Sequence, residues 1–207
     1  MEQKITRAFN FDIETGSEEV AGRITGRPIV YNSTTDLDYF YEAIAPGALD
    51  EADLRDVRLL INHNTDMIPL ARSRRNNVNS TMQLIPNAEG MDFRADLDIE
   101  NNQEAKALYS AIERKDITGM SFMFTIDQVE WSDLESEKPT RTIQKIGKVF
   151  EISAVTFPAY EDTSIEVQRN ADKDALESAK ATLERAKADE EAKLAKQQLK
   201  ALLGLEE

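Results

Sequence analysis

A change of pattern near Arg169 divides the chain into two parts with different folding problems. Up to that point, short runs alternate apolar and polar side chains and are separated by Gly, Pro and Asn, which is the signature of half-buried strands joined by turns. From Ala171 onward the sequence is dominated by Ala, Glu, Lys and Leu, with no proline and a single glycine, Gly204, near its end. Such a composition favours one long helix. With 207 residues and 41% apolar content, the chain can bury one good core. The expectation is a folded module over residues 1–169 and a charged helical tail over residues 170–207, which is either a docking arm or a scaffold-like extension.

Within the module, residues 4–31 read as short antiparallel strands punctuated by Gly16, Gly22, Gly26 and Pro28. Pro46 and Gly47 lead into a short helix expected over residues 48–55. Val57, Leu59, Ile61 and His63 fall on one face of a strand, with His63 at its end. Runs at 81–85 and 91–97 flank Pro86-Asn87-Ala88-Glu89-Gly90 and predict a hairpin with a five-residue connection. A helix over 101–114 is expected from Ala105, Leu108 and Ile112, with Gly119 closing it. A strand over 120–129, a polar loop holding Trp131 and Pro139, and a long β-patterned run over 140–157 that stops at Pro158 complete the module. These elements predict a small barrel or sandwich with a few helices.

The tail keeps an a/d spacing at Leu176, Ala179, Leu183 and Ala186, loses it at Glu190 and Lys193, and resumes it at Leu199 and Leu202. It is an imperfect amphipathic helix, either a solvated extension or an arm that gains order from a partner.

A formal charge of −14 and a pI near 4.6 disfavour nucleic acid as a partner, because affinity for phosphates rests on basic residues. The one local exception is the basic run of Arg72, Arg74 and Arg75. The chain has no cysteine, which excludes disulfides, thiolate metal sites and cysteine nucleophiles. No run approaches the roughly 18–20 apolar residues of a membrane span, so a soluble, cytosolic protein is expected. One histidine without cysteine argues against a transition-metal site, and no cofactor is expected. Asp96, Asp98 and Glu100 lack the spacing of a calcium loop and read as a solvated face.

The single histidine sharpens the search for chemistry. Serine nucleophiles usually need an imidazole to take the hydroxyl proton, so His63 is the one candidate base. The bland alternative is a structural histidine. Most serines lie in polar loops, but Ser121 sits in Gly119-Met120-Ser121-Phe122-Met123-Phe124-Thr125, where Phe122 and Phe124 anchor one face and Ser121 takes the other. A strand serine without a role fits the same pattern. In Val149-Phe150-Glu151-Ile152-Ser153-Ala154-Val155 one carboxylate interrupts an apolar strand. Glu151 either reaches solvent from an edge or meets a partner such as an imidazole N–H.

At these three sites, over roughly residues 23–169, the sequence resembles the prohead proteases of tailed bacteriophages. The likeness is carried by Ala45-Pro46-Gly47-Ala48, Leu60-Ile61-Asn62-His63-Asn64, Ile68-Pro69-Leu70-Ala71-Arg72, Ala88-Glu89-Gly90-Met91, Asp116-Ile117-Thr118-Gly119-Met120-Ser121-Phe122, Trp131 and Glu151-Ile152-Ser153-Ala154-Val155-Thr156-Phe157-Pro158-Ala159-Tyr160. That family resembles herpesvirus assemblin in fold, which implies an α+β, mainly β architecture: a small antiparallel β-barrel with a few flanking helices, followed here by the charged C-terminal helix. The resemblance implies a serine endopeptidase with His63 as catalytic histidine and Ser121 as nucleophile. Glu151 would stand in for the second histidine of the herpesvirus enzymes, which this chain lacks. Ala71 departs from the Gly of many relatives. Implied partners are the major capsid protein or scaffold as substrate, cut inside the procapsid in the host cytoplasm. Cleavage of the chain itself is implied too, and a homo-oligomer is a further option. The rival reading is a non-enzymatic capsid assembly or scaffold component.

Overall fold

The computed structural model describes residues 4–9, 13–16, 21–157 and 164–202. In chain order the elements are β1 (Ile5–Phe9), β2 (Ile13–Thr15), β3 (Arg23–Val30), β4 (Thr35–Asp36), β5 (Tyr41–Ile44), β6 (Asp56–Ile61), β7 (Ala71–Arg74), β8 (Met82–Asn87), β9 (Gly90–Asp96), α1 (Gln103–Glu113), β10 (Gly119–Ser132), β11 (Thr140–Val155) and α2 (Ser164–Leu202).

The strands form two sheets. The larger runs β1-β10-β11-β5-β4, with β6 pairing the other end of β11 and β7 pairing β6; the smaller runs β2-β3-β9-β8. One apolar cluster joins them, with Ile24, Ile29, Leu84, Met91 and Phe93 from the small sheet against Leu59, Phe122, Phe124, Val149 and Ile152 from the large one.

This architecture corrects the expected antiparallel barrel. Among the described residues no strand closes either sheet on itself, so both stay open, and only two helices are present. The large sheet is mixed: β11 is antiparallel to β10, but parallel to β5 over Thr140 to Ile143 and parallel to β6 over Glu151 to Ala154. Alternation reports which side chains face inward. It carries no information on strand direction or edge pairing, and those decide closure.

Smaller differences follow from local chemistry. The helix expected over residues 48–55 is a series of turns closed by bonds from Ala48 N–H to Ala45 O, Asp50 N–H to Gly47 O and Ala52 N–H to Leu49 O. Gly47 at φ 83 opens this segment in a left-handed conformation that starts no helix. The β8–β9 connection is shorter than predicted, because Asn87 already pairs with Gly90 and leaves two residues between them. Gly90 adopts φ 148, and a Cβ there would lie 2.0 Å from the Ile29 carbonyl oxygen of β3. Helix α1 starts at the Asn102 cap, whose side chain accepts from the N–H groups of Glu104 and Ala105, and it buries Ala105, Leu108 and Ile112. The stop at Pro158 lies outside the described residues.

Helix α2 is packed where it carries Asp172 and Leu176 and is exposed further along. Asp172 and Leu176 are buried, whereas every residue from 184 to 202 is exposed. Asp172 completes a buried four-charge cluster. Arg7 Nε contacts Glu42 Oε1 at 2.5 Å, Arg7 Nη2 contacts Asp172 Oδ2 at 3.0 Å, and Arg141 Nη2 contacts Glu42 Oε2 at 2.5 Å and Asp172 Oδ1 at 2.8 Å. The Arg141 guanidinium also lies 4.6 Å from the Phe40 ring centre and 5.7 Å from that of Trp131. Two cations and two carboxylates neutralise one another, which is how ionised groups are retained away from water. Burial alone would lower the Arg7 value, but the charges of Glu42 and Asp172 outweigh it and hold it above the usual arginine range. Burial likewise works against the Glu42 carboxylate, yet Arg7 and Arg141 hold it below the usual range.

Candidate active site

The centre of the larger sheet brings the candidate residues together on one face. Side chains alternate along β10 and β11, so Phe122 and Ile152 enter the inter-sheet core while Ser121, Glu151 and Ser153 take the opposite face. Ser121 pairs directly with Ser153 across the antiparallel ladder. Such opposed residues lie roughly 4.5–5.5 Å apart at Cα. On the other side of β11, Ser153 pairs with Leu60 of β6, two residues before the turn that carries Asn62 and His63.

His63 is not the end of a regular strand face, as alternation implied. It follows β6 in a turn where Asn62 at φ 48 and His63 at φ 57 are both left-handed. Neither is glycine, and backbone strain of this kind persists only where surrounding contacts impose it. Strand β11 and Thr156, just beyond its end, supply them. Asn62 N–H donates to Ala154 O at 3.0 Å, and His63 N–H donates to Ser153 Oγ at 3.1 Å. The Asn62 side chain donates to Thr156 Oγ1 at 3.2 Å and accepts from Thr156 N–H at 2.9 Å.

The turn delivers the imidazole to a carboxylate. His63 Nδ1 lies 2.6 Å from Glu151 Oε1, with the His63 side chain 23% exposed and that of Glu151 3% exposed. Of the two environments open to Glu151 in the sequence, it occupies the buried, paired one. An ionised carboxylate only accepts, so with Glu151 ionised this contact calls for the Nδ1–H tautomer of His63, which leaves the Nε2 lone pair open. Glu151 Oε2 accepts from Ser153 Oγ at 2.5 Å.

Ser121 is not joined to this pair by a hydrogen bond. It is 0% exposed, and its hydroxyl donates to the carbonyl oxygen of Arg7 in β1 at 2.8 Å. Pairing of β1 with β10 places Ala8 opposite Ser121, so the N-terminal strand flanks the candidate nucleophile. Ser153, Asn62 and Thr156 are contacts that sequence reasoning did not single out. The one available signal was the spacing of Glu151 and Ser153, two apart and hence on one face of a strand.

The basic run falls elsewhere. Arg72, Arg74 and Arg75 line a cavity of about 370 Å³ with Asp53, Arg55, Asp56, Asn77 and Lys148. It shares no residue with the His63–Glu151 centre. Asp53 engages Arg55, and Asp56 engages Arg72, so much of its charge is internally paired.

The chain is 26% identical over 175 residues to the prohead protease of Enterobacteria phage HK97, an alignment covering 82% of this chain and 71% of that protein. No solved structure matches at comparable significance. A family model described as caudovirus prohead serine protease matches residues 10–177, which include His63, Ser121 and Glu151. The chain belongs to the caudovirus prohead serine protease family.

Proposed function

We propose that the chain is a serine endopeptidase of procapsid maturation in which Ser121 is the nucleophile, His63 the general base and Glu151 the group that orients His63. The observation that carries this reading is the buried Glu151 carboxylate 2.6 Å from His63 Nδ1, with Ser121 on the adjacent rung of the same sheet face. His63 Nε2 would take the Ser121 proton as Oγ attacks the scissile carbonyl, then return it to the leaving amine; water would resolve the acyl-enzyme. Glu151 would keep the proton on Nδ1 and stabilise the imidazolium. The oxyanion would be met by backbone N–H groups.

Attack requires the Ser121 hydroxyl to leave the Arg7 carbonyl and become accessible to a peptide. The present arrangement is therefore read as a resting one. The proposed substrates are scaffold or the scaffold-like arm of the major capsid protein, with cleavage of the chain itself as a further reaction. The proposed setting is the interior of the procapsid in the host cytoplasm.

A non-enzymatic assembly role has one observation in its favour, the complete burial of Ser121. Fluorophosphonate labelling during assembly with the cognate capsid protein separates the two. A stoichiometric adduct at Ser121, lost in Ser121→Ala together with capsid processing, supports the enzyme. Normal processing by Ser121→Ala refutes the nucleophile assignment, and absence of any adduct in the assembled state favours the assembly role.

A further inference from the structure

Ser153 occupies a position that its size alone does not explain. A hydroxyl offers one donor and two acceptor lone pairs. Here the donor goes to Glu151 Oε2 at 2.5 Å and an acceptor takes the His63 N–H at 3.1 Å. The other Glu151 oxygen meets His63 Nδ1 at 2.6 Å. One side chain, 0% exposed, thus ties the backbone of His63 to the carboxylate that meets its ring. Alanine would fill the same space and leave the His63 N–H and one carboxylate oxygen without these partners, a costly condition away from water.

The bonding also separates Ser153 from the nucleophile's task. Its proton is directed at Glu151 rather than at the imidazole, whose Nδ1 is already engaged. Both oxygens of Glu151 are held, so rotation of the carboxylate is restrained. The left-handed turn at residues 62 and 63 is anchored to the same strand position. Resting on the assignment of His63 and Glu151 above, we propose that Ser153 is a positioning residue of the protease: it locks the Glu151 carboxylate and the His63 backbone in one geometry, so that Nε2 faces the Ser121 rung.

The test uses the full chain, a peptide spanning the processed junction of the cognate capsid protein, and active-site titration to normalise for folded enzyme. Ser153→Ala lowers kcat roughly ten- to a hundredfold, the size expected when a hydrogen bond to a charged group is lost, with KM nearly unchanged. Ser153→Thr, which keeps the hydroxyl, recovers a large part of that loss. In a Glu151→Gln background Ser153→Ala adds little, because the two act as one unit. The single histidine gives a second readout that needs no substrate. In 15N-histidine NMR the native ring shows one tautomer with the proton on Nδ1, and Ser153→Ala shows a mixture. An unchanged ring spectrum, turnover within about threefold of native, or full additivity with Glu151→Gln overturns the positioning role. If Ser121→Ala remains active while the ring spectrum responds to Ser153→Ala, the nucleophile assignment fails and the positioning role stands. A fluorophosphonate adduct at Ser153 overturns both.

Discussion

Asp172 is the point at which the C-terminal helix is built into the sheet, and Asp172→Asn isolates its charge with almost no change of shape. The substitution leaves Arg7 and Arg141 facing Glu42 alone, so a neutral cluster acquires one uncompensated positive charge. Removing one partner from a buried ion pair typically costs about 3–5 kcal/mol. The Asp172 side chain is 12% exposed, against 5% for each arginine, which places the expected loss near the lower end, about 3 kcal/mol. The assay is urea denaturation of the full chain followed by near-ultraviolet circular dichroism, where Trp131 near Arg141 gives a local signal. Replacing two partners at once, with Asp172→Leu and Arg141→Met, leaves Arg7 with Glu42 and should recover most of the loss. A cost for Asp172→Asn below about 1 kcal/mol, the range of an exposed pair, would show that the helix is not clasped to the sheet through this cluster. By the same reasoning, truncation after Arg169 removes Asp172 and buried Leu176 and lowers stability, whereas truncation after Leu183 removes only exposed residues of α2 and leaves stability nearly unchanged.

Glu151→Gln preserves the fold but reduces single-turnover cleavage of a capsid-derived peptide by roughly two to four orders of magnitude, because an amide can select the wrong imidazole tautomer; turnover within about threefold of native would remove Glu151 from the mechanism. Stability also falls in acid through Glu42. Its folded value lies below the usual one, so its contribution is complete above the unfolded value, about 4.3, and is lost as pH falls through the depressed folded value. Denaturation midpoints measured from about pH 6 to about pH 2 should show this slope, flattened in Glu42→Gln; an unchanged slope refutes the assignment. Gly90→Ala strains a positive φ and drives a Cβ into the Ile29 carbonyl, so it destabilises by at least about 1–3 kcal/mol. Thermal unfolding measures it, and a native midpoint would show that the β8–β9 turn relaxes freely.

Local pattern was readable wherever a short stretch sets its own structure. Helix α1 follows from Ala105, Leu108 and Ile112 at helical spacing, and the β8–β9 hairpin from two β-patterned runs around Asn87 and Gly90. Over residues 48–55 the segment that Pro46 and Gly47 lead into is a series of turns rather than the expected helix, because the left-handed Gly47 starts no helix. Ser121 and Glu151 were recognisable as polar side chains among strand apolars. His63 stood out as the single histidine.

By itself, then, the sequence determined a strand-rich module, a long charged helix beyond it, and the residue types from which serine chemistry could be assembled. Those properties depend on composition and on neighbours a few positions away, which a linear pattern records directly. Tertiary structure alone decided that the sheets stay open, because closure depends on which distant edges pair. It also decided that a left-handed turn after β6 carries His63 to Glu151, 88 positions along the chain, with Ser153 fastening both. The burial of Arg7 with Asp172 across 165 positions belongs to the same class. Each of these contacts has an energy set by burial and distance, and neither quantity is written in the local sequence.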